Sequence, residues 1–298
     1  MIIKSDQTPS FNFAVVVDDF LMKVSHIIRG EDHISNTARQ IQVYQALKAD
    51  LPKFAHLPMI LGPDKAKLSK RHGATSVIEY KNQGYLAEAL LNYLSLLGWS
   101  SPNEKEILSK EELIQLFTLE RVNKSNAIFD IAKLNWLNGQ YIRKFSLPDL
   151  FARIKEFINE DYLNQIPEEK LSKMVYSIRD NLDFLTDVNK YLGVYLLDFD
   201  DYKNKVASLS FSNEDIEVIR LFKENLEKND QISTAEDYYD LIKIIQSSTG
   251  FKNAQIYRPI RLSCTALEKG PHILEFCSIL GREFLLLRLN WLLKSLNA

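Results

Sequence analysis

Cysteine is nearly absent from this chain of 298 residues, which holds only Cys264 and Cys277. Two thiols exclude a disulfide framework, and with no Cys-x-x-Cys pair this portion offers no zinc site of that kind. A reduced, cytoplasmic setting is the expectation. There is no apolar run of about 18 residues, the length a membrane helix needs. The N-terminal Met1-Ile-Ile-Lys-Ser-Asp6 turns polar at once, unlike a signal peptide, so no membrane partner is expected. An excess of positive charge is missing too: 37 Lys and Arg stand against 39 Asp and Glu, a net charge of −2. Residues 1–146 carry 18 cations against 15 acids, or +3, and the remainder is −5. Any surface for nucleic acid must therefore be a local stripe of Lys and Arg, not a whole face. Internal repeats and low-complexity linkers are absent as well.

What is present reads as an ordinary globular composition, 46% hydrophobic and 26% charged, at a length that favours two domains over one. Up to about residue 100, β-rich runs (Phe11–Val17, Val24–Arg29, Phe54–Leu61) alternate with helical segments, and the first helix is expected to open at Thr37-Ala-Arg-Gln40, a capping-box pattern. From about 85 onward nearly every segment has helical spacing. Tyr85–Leu97 is one such segment, Ser109-Lys-Glu-Glu112 opens a second, Leu147–Ile158 with Pro148 near its start is a third, and Ser233-Thr-Ala-Glu236 opens another. The fold class expected is α/β followed by all-α, divided into 1–145 and 146–298.

Two strings carry chemistry. Lys67-Leu68-Ser69-Lys70-Arg71 puts three cations and a hydroxyl into five loop residues, next to His56-Leu-Pro-Met-Ile-Leu-Gly-Pro-Asp64. Such a loop suits phosphate, although a basic run taken alone fits a solvated loop equally well. Upstream stand Val15-Val16-Val17-Asp18-Asp19 and His26-Ile27-Ile28-Arg29-Gly30-Glu31-Asp32-His33.

In this order the strings resemble the catalytic domain of class I aminoacyl-tRNA synthetases, specifically bacterial-type glutamyl-tRNA synthetase, whose nucleotide loop reads Lys-Met-Ser-Lys-Ser or Lys-Leu-Ser-Lys-Arg. Gly30-Glu-Asp-His-Ile-Ser-Asn-Thr37, Ala89-Leu-Leu-Asn-Tyr-Leu94, Asn135-Trp-Leu-Asn-Gly139, Arg258-Pro-Ile-Arg-Leu262 and Leu280-Gly-Arg-Glu283 extend the similarity over essentially the whole chain. The His-Ile-Gly-His-type ATP motif of that family has no counterpart among the five histidines. The resemblance therefore implies a C-terminal portion. It would comprise the second half of a Rossmann-type catalytic domain with a stem-contact region, then an all-helical anticodon-binding domain. Glutamyl-queuosine synthetases, which lack the helical body, fit less well.

The activity implied is ATP-dependent activation of glutamate and its transfer to tRNA(Glu), with Mg2+ accompanying ATP, no zinc in this portion, and a monomer. This isolated chain is expected to keep tRNA contact without full catalysis; the alternative is a non-catalytic tRNA-binding or regulatory module. By the resemblance, Lys67 and Lys70 are the catalytic cations, and Lys67, Ser69, Lys70 and Arg71 bind the nucleotide. Mobile ammonium groups can follow charge as it builds on phosphoryl oxygens. Arg29 matches the family's contact to the substrate carboxylate, a pairing that suits a guanidinium fork; the alternative is an internal pair with Glu31 or Asp32. Glu31 and Asp32 fall where the family meets ribose or the tRNA terminus, or are solvated acids of a loop. Phe11 stands where relatives often carry tyrosine, keeping a pocket wall but not its hydroxyl. Asp18 and Asp19 suit a turn or a helix cap.

Anticodon reading needs bases stacked on aromatic or guanidinium planes. Tyr238, Tyr239, Tyr257, Arg258 and Arg261 are the candidates, and the adjacent tyrosines cannot share one helix face, so at least one belongs to the core. Packing explains Arg258 and Arg261 equally well. Asn181 replaces an arginine associated with the anticodon in many relatives, so discrimination does not carry over directly.

Overall fold

The computed structural model describes residues 2–69 and 76–296. The chain separates into two compact units, Met1–Val77 with Ala87–Leu134, and Ile78–Leu86 with Asn135–Ala298. In chain order the elements begin with α1 (Phe11–Leu21), β1 (His26–Gly30), α2 (Ile34–Ala46), β2 (Lys53–Leu57) and β3 (Ile60–Leu61). They continue with α3 (Val77–Asn82), α4 (Ala87–Leu96), α5 (Lys110–Leu116) and β4 (Ala127–Ile128).

β1 and β2 pair in parallel with Arg29 opposite His56, and α2 makes the crossover between them. β3 pairs in parallel with β4, which lies more than sixty residues downstream. Sequence periodicity missed β4 because a two-residue strand has no period to read. α1 and α2 pack together beside β1. A separate small core of Trp99, Leu108 and Leu113 sits under α5, whose start was legible: Ser109 Oγ accepts from the Glu112 amide (3.1 Å) while Glu112 Oε2 accepts from the Ser109 amide (2.8 Å).

Three sequence expectations are corrected. Phe11–Val17 is not a strand but the first turns of α1. Its valines favour strands locally, yet helical spacing lets Val16 sink to 1% exposure against α2, and tertiary burial outweighs the propensity. Thr37 does not open α2, which begins at Ile34 after a 3₁₀ turn over Glu31–His33. Inside the helix its hydroxyl donates back to the His33 carbonyl (3.1 Å). The box expected at Ser233-Thr-Ala-Glu236 lies one residue later, with Thr234 as cap and Asp237 as its partner.

The second unit continues α6 (Ile131–Arg143) and adds α7 (Leu147–Ile154), α8 (Glu160–Gln165), α9 (Glu168–Ser177), α10 (Val188–Leu192) and α11 (Phe199–Val206). Then come α12 (Asn213–Lys228), α13 (Ala235–Thr249), α14 (Asn253–Thr265), α15 (Ile273–Leu280) and α16 (Arg282–Leu296). α7 starts as Pro148 indicated, with Ser146 as its cap, but ends at Ile154 in a 3₁₀ turn. α12 packs on α14 and α16, presenting Val218, Ile219, Phe222 and Leu226 at helical spacing to the buried interior.

Part of the Asn135–Gly139 string is architectural in this unit. Asn138 is fully buried; its Oδ1 accepts from the Leu86 amide (2.9 Å) and its Nδ2 donates to the Asp183 carbonyl (2.6 Å). That one side chain fastens the short segment Ile78–Leu86 to the turn after α9. Gly139 leaves room beside it, since a Cβ there would lie 2.5 Å from Arg143 Nη1 and 2.8 Å from Asp183 Oδ1. Gly84 (φ +86°) likewise lets its carbonyl accept from the Leu185 amide at 3.0 Å.

Candidate substrate and nucleotide site

The sequence of the first unit converges on Arg29. Parallel register sets His56 beside it, and the i, i+3 spacing of Thr37 and Gln40 turns both side chains of α2 back toward β1. Arg29 Nη2 donates to Thr37 Oγ1 (2.6 Å) and to Gln40 Oε1 (2.6 Å). Thr37 Oγ1 also meets His56 Nε2 (2.9 Å), and Gln40 Nε2 donates to Asn12 Oδ1 of α1 (3.0 Å). Two neutral side chains of α2 thus hold the guanidinium, and β2 and α1 brace them in turn through His56 and Asn12.

No described carboxylate forms an ion pair with Arg29, and its buried Nε has no partner among the described residues. The internal pair with Glu31 or Asp32 is therefore not what the structure shows. Asp19 on α1 lies within electrostatic range; burial raises its carboxyl above the usual range while the Arg29 charge opposes that rise. Tyr44, one turn beyond Gln40, is 1% exposed; its hydroxyl has no partner among the described residues, and its pKa is pushed up by burial, then by the charge of Asp19.

The loop cations arrive from a second direction. After β3 the chain folds back on itself: the Lys65 amide donates to the Gly62 carbonyl (2.9 Å), with Lys65 at φ +59°, and the Gly62 amide donates to the Ala66 carbonyl (2.8 Å). The Leu68 amide then reaches the Ile60 carbonyl (3.0 Å). This places Lys67 opposite Leu61 in an antiparallel bridge. From there Lys67 Nζ donates to Asp32 Oδ2 at 2.9 Å, which holds the Asp32 carboxyl below its ordinary range.

The structure therefore brings Lys67 and Asp32 together across 35 residues, one turn of chain after Arg29. Both side chains are well exposed, so the pair is weak and screened by salt. Glu31 lies on the surface of the same 3₁₀ turn. Phe11 is 58% exposed at the start of α1, its ring centre 6.3 Å from that of His33. Ser69 ends the described stretch, while Lys70 and Arg71 lie outside the described residues. No group of three or more His, Cys, Asp or Glu side chains forms a metal site among the described residues. Mg2+ with ATP needs none, because phosphate oxygens and one or two carboxylates hold it.

In the second unit the expected aromatic surface sorts itself out. Tyr238 is fully buried, whereas Tyr239 faces outward with Lys243 Nζ 4.2 Å from its ring centre. Arg258 is drawn to Asp215 (3.5 Å) and Glu268 (3.0 Å), and Arg261 is half-buried and donates to the Pro271 carbonyl (2.7 Å). Sequence reasoning missed Arg179 over Tyr176 (4.3 Å) and Arg153 over Phe145 (4.6 Å). The first was legible as an aromatic and a cation three residues apart.

Residues 1–136 match the family described as tRNA synthetases class I (E and Q), catalytic domain, and residues 149–293 match the anticodon binding domain family. Glutamate--tRNA ligase 1 of Caldicellulosiruptor saccharolyticus is 42% identical over 303 aligned residues, covering 98% of this chain and 61% of the relative. Glutamate--tRNA ligase of Sulfurihydrogenibium sp. is 42% identical, covering 97% of this chain and 61% of the relative. The crystal structure of a glutamate tRNA ligase from Elizabethkingia meningosepticum in complex with its amino acid superposes with a TM-score of 0.80 at 29% identity, over 99% of this chain and 62% of that one. The chain thus spans about three fifths of the length of the relatives it matches.

Proposed function

Because the chain belongs to the class I tRNA synthetases of the E and Q type, we propose that it serves the ligation of glutamate to tRNA(Glu). The observation that carries this reading is the Arg29 guanidinium, fixed by neutral groups and paired with no described acid. A cation so held suits an anionic side chain or carboxylate. Glutamate, the substrate named for the relatives, supplies one.

In this reading Arg29 orients glutamate, and Phe11 forms the pocket wall. The α-carboxylate attacks the α-phosphate of ATP; the bond to pyrophosphate breaks and the acyl-adenylate forms. Lys67 leaves Asp32 for the phosphoryl oxygens, where with Lys70, Ser69 and Arg71 it stabilises the charge built in the transition state. Glu31 and Asp32 then meet ribose hydroxyls or the terminal adenosine of tRNA, whose hydroxyl takes the acyl group as the acyl–phosphate bond breaks and AMP leaves. Residues 1–145 carry this chemistry and 146–298 carry the anticodon contact. We infer that these 298 residues alone hold tRNA, as a monomer in the cytoplasm, without completing activation, in keeping with the three fifths of the relatives' length that they span.

The test is tRNA-dependent ATP–pyrophosphate exchange with glutamate on the 298-residue chain, run beside tRNA binding at two salt concentrations. Salt-sensitive binding without exchange is the expected result. Exchange would overturn the claim that activation is incomplete, and absence of both signals would overturn tRNA contact by this chain.

A further inference from the structure

Hydrogen-bond chemistry leaves the network around Arg29 only one consistent orientation. A guanidinium only donates, so the Gln40 oxygen must face Arg29 and its nitrogen must face the Asn12 oxygen. The Thr37 hydroxyl has one proton. The His33 carbonyl can only accept it, which leaves the hydroxyl lone pairs for Arg29 and for an N–H at His56 Nε2. Both Nη2 hydrogens of Arg29 are thereby used, and by neutral acceptors alone. Gln40 is the deepest of these, 1% exposed, and is tied at both ends.

A carboxylate at Nη2 would cancel the charge of Arg29. Asp32 of the strand's exit turn goes to Lys67, and Asp19 acts on Arg29 through its charge without an ion pair to it. We propose that Gln40 is a positioning and specificity residue, a buried neutral acceptor that fixes Arg29 without cancelling its charge and so reserves that charge for an anionic ligand. This rests on the reading of Arg29 as the contact to glutamate. Glutamate and glutamine have nearly the same shape, so the uncancelled charge at Arg29 is what favours the acid over the amide.

The decisive variant is Gln40→Glu in full-length ligase carrying this sequence. It keeps the size of the side chain and its bond to Arg29, the Asn12 amide turns to donate to the second oxygen, and only the charge changes. The expected result is a rise in the KM for glutamate on the order of 10- to 100-fold, the scale of one charge-assisted contact, with the KM for ATP unchanged. Preference for glutamate over glutamine, read as the ratio of kcat/KM values, falls by a similar factor.

Gln40→Met removes the bonds but adds no charge and is expected to raise the KM for glutamate while retaining most of that preference. Loss of preference in Gln40→Met equal to that in Gln40→Glu would reject the charge argument. If Gln40→Glu does not fold, Thr37→Asp brings a carboxylate to the same nitrogen and is read the same way. An unchanged KM and preference in the charged variant, with Arg29→Ala impaired, overturns the role of Gln40 alone; if Arg29→Ala is also unimpaired, the reading of Arg29 falls with it.

Discussion

Two regions of the molecule bury different kinds of atoms, although the helical unit also buries Asn138, Ser263 and Arg288. The faces that α12 and α13 bury are largely carbon: Phe222, Leu226, Leu241 and Ile245 are 0–2% exposed, and Tyr238 brings its ring inside although its hydroxyl has no partner among the described residues. Around Arg29 the equivalent depth is taken by Thr37, Gln40 and Tyr44, while Phe20, Leu21, Met22 and Ile28 stand exposed. A carbon interior stabilises in proportion to area and tolerates repacking of similar volume. A polar interior demands that each donor find its acceptor, so single-atom changes matter. The carbon faces of the helical unit and the polar cluster around Arg29 therefore respond differently to substitution.

Changes that strike each interior sharpen this contrast. Phe222→Ala is expected to lower the stability of the helical unit by about 3–5 kcal/mol, read by denaturant unfolding, because the space left under α14 and α16 cannot close fully. Lys67→Ala in full-length ligase should slow pyrophosphate exchange by about 10²- to 10³-fold with little change in unfolding midpoint, as for loss of one cation aimed at transition-state charge. A wild-type rate would remove Lys67 from the catalytic set. Arg29→Ala should chiefly raise the KM for glutamate, by about 10- to 100-fold, and leave the KM for ATP little altered; the opposite split would contradict the carboxylate role. Thr234→Ala, which unties the cap of α13, should cost about 1 kcal/mol of stability and no activity.

The smallest expected effect concerns pH. Asp19 has its carboxyl raised by burial, so the folded state holds that proton more tightly than the unfolded chain does. Its ionisation therefore costs stability above the folded-state pKa, and the cost disappears below the usual carboxylate value of 3.8. Asp19→Asn should melt slightly higher than wild type near neutral pH, with the gap closing as pH falls. Asp32 has the opposite sign: Lys67 lowers its pKa, so its contribution is present above 3.8 and is lost on acidification below that value. A gap for Asp19→Asn that widens in acid would reverse the sign assigned to it.

Local chemistry made much of this legible before the fold. The Ser109 cap, the Pro148 start, the strands near Val24–Arg29 and Phe54–Leu61, and the long helical stretch all follow from short-range preferences that the tertiary structure leaves intact. The misses share a cause. Phe11–Val17 was misread because three successive valines favour a strand, whereas helix α1 is stabilised by packing on α2, a segment more than ten residues away. Thr37 reads as a cap because hydroxyls prefer caps, yet here its oxygen is needed by Arg29 and His56.

The sequence alone determined the order of motifs, and with it the resemblance to a glutamate-activating synthetase, because motif identity is a property of neighbouring residues and survives without coordinates. Only the tertiary structure decided which groups meet. Arg29, Thr37, Gln40, His56 and Asn12 come from four elements, and Lys67 finds Asp32 across 35 residues. Whether a cation is neutralised by an acid or held by amides and hydroxyls depends on strand register and helix rotation, which place an acceptor within about 3 Å or leave it out of reach.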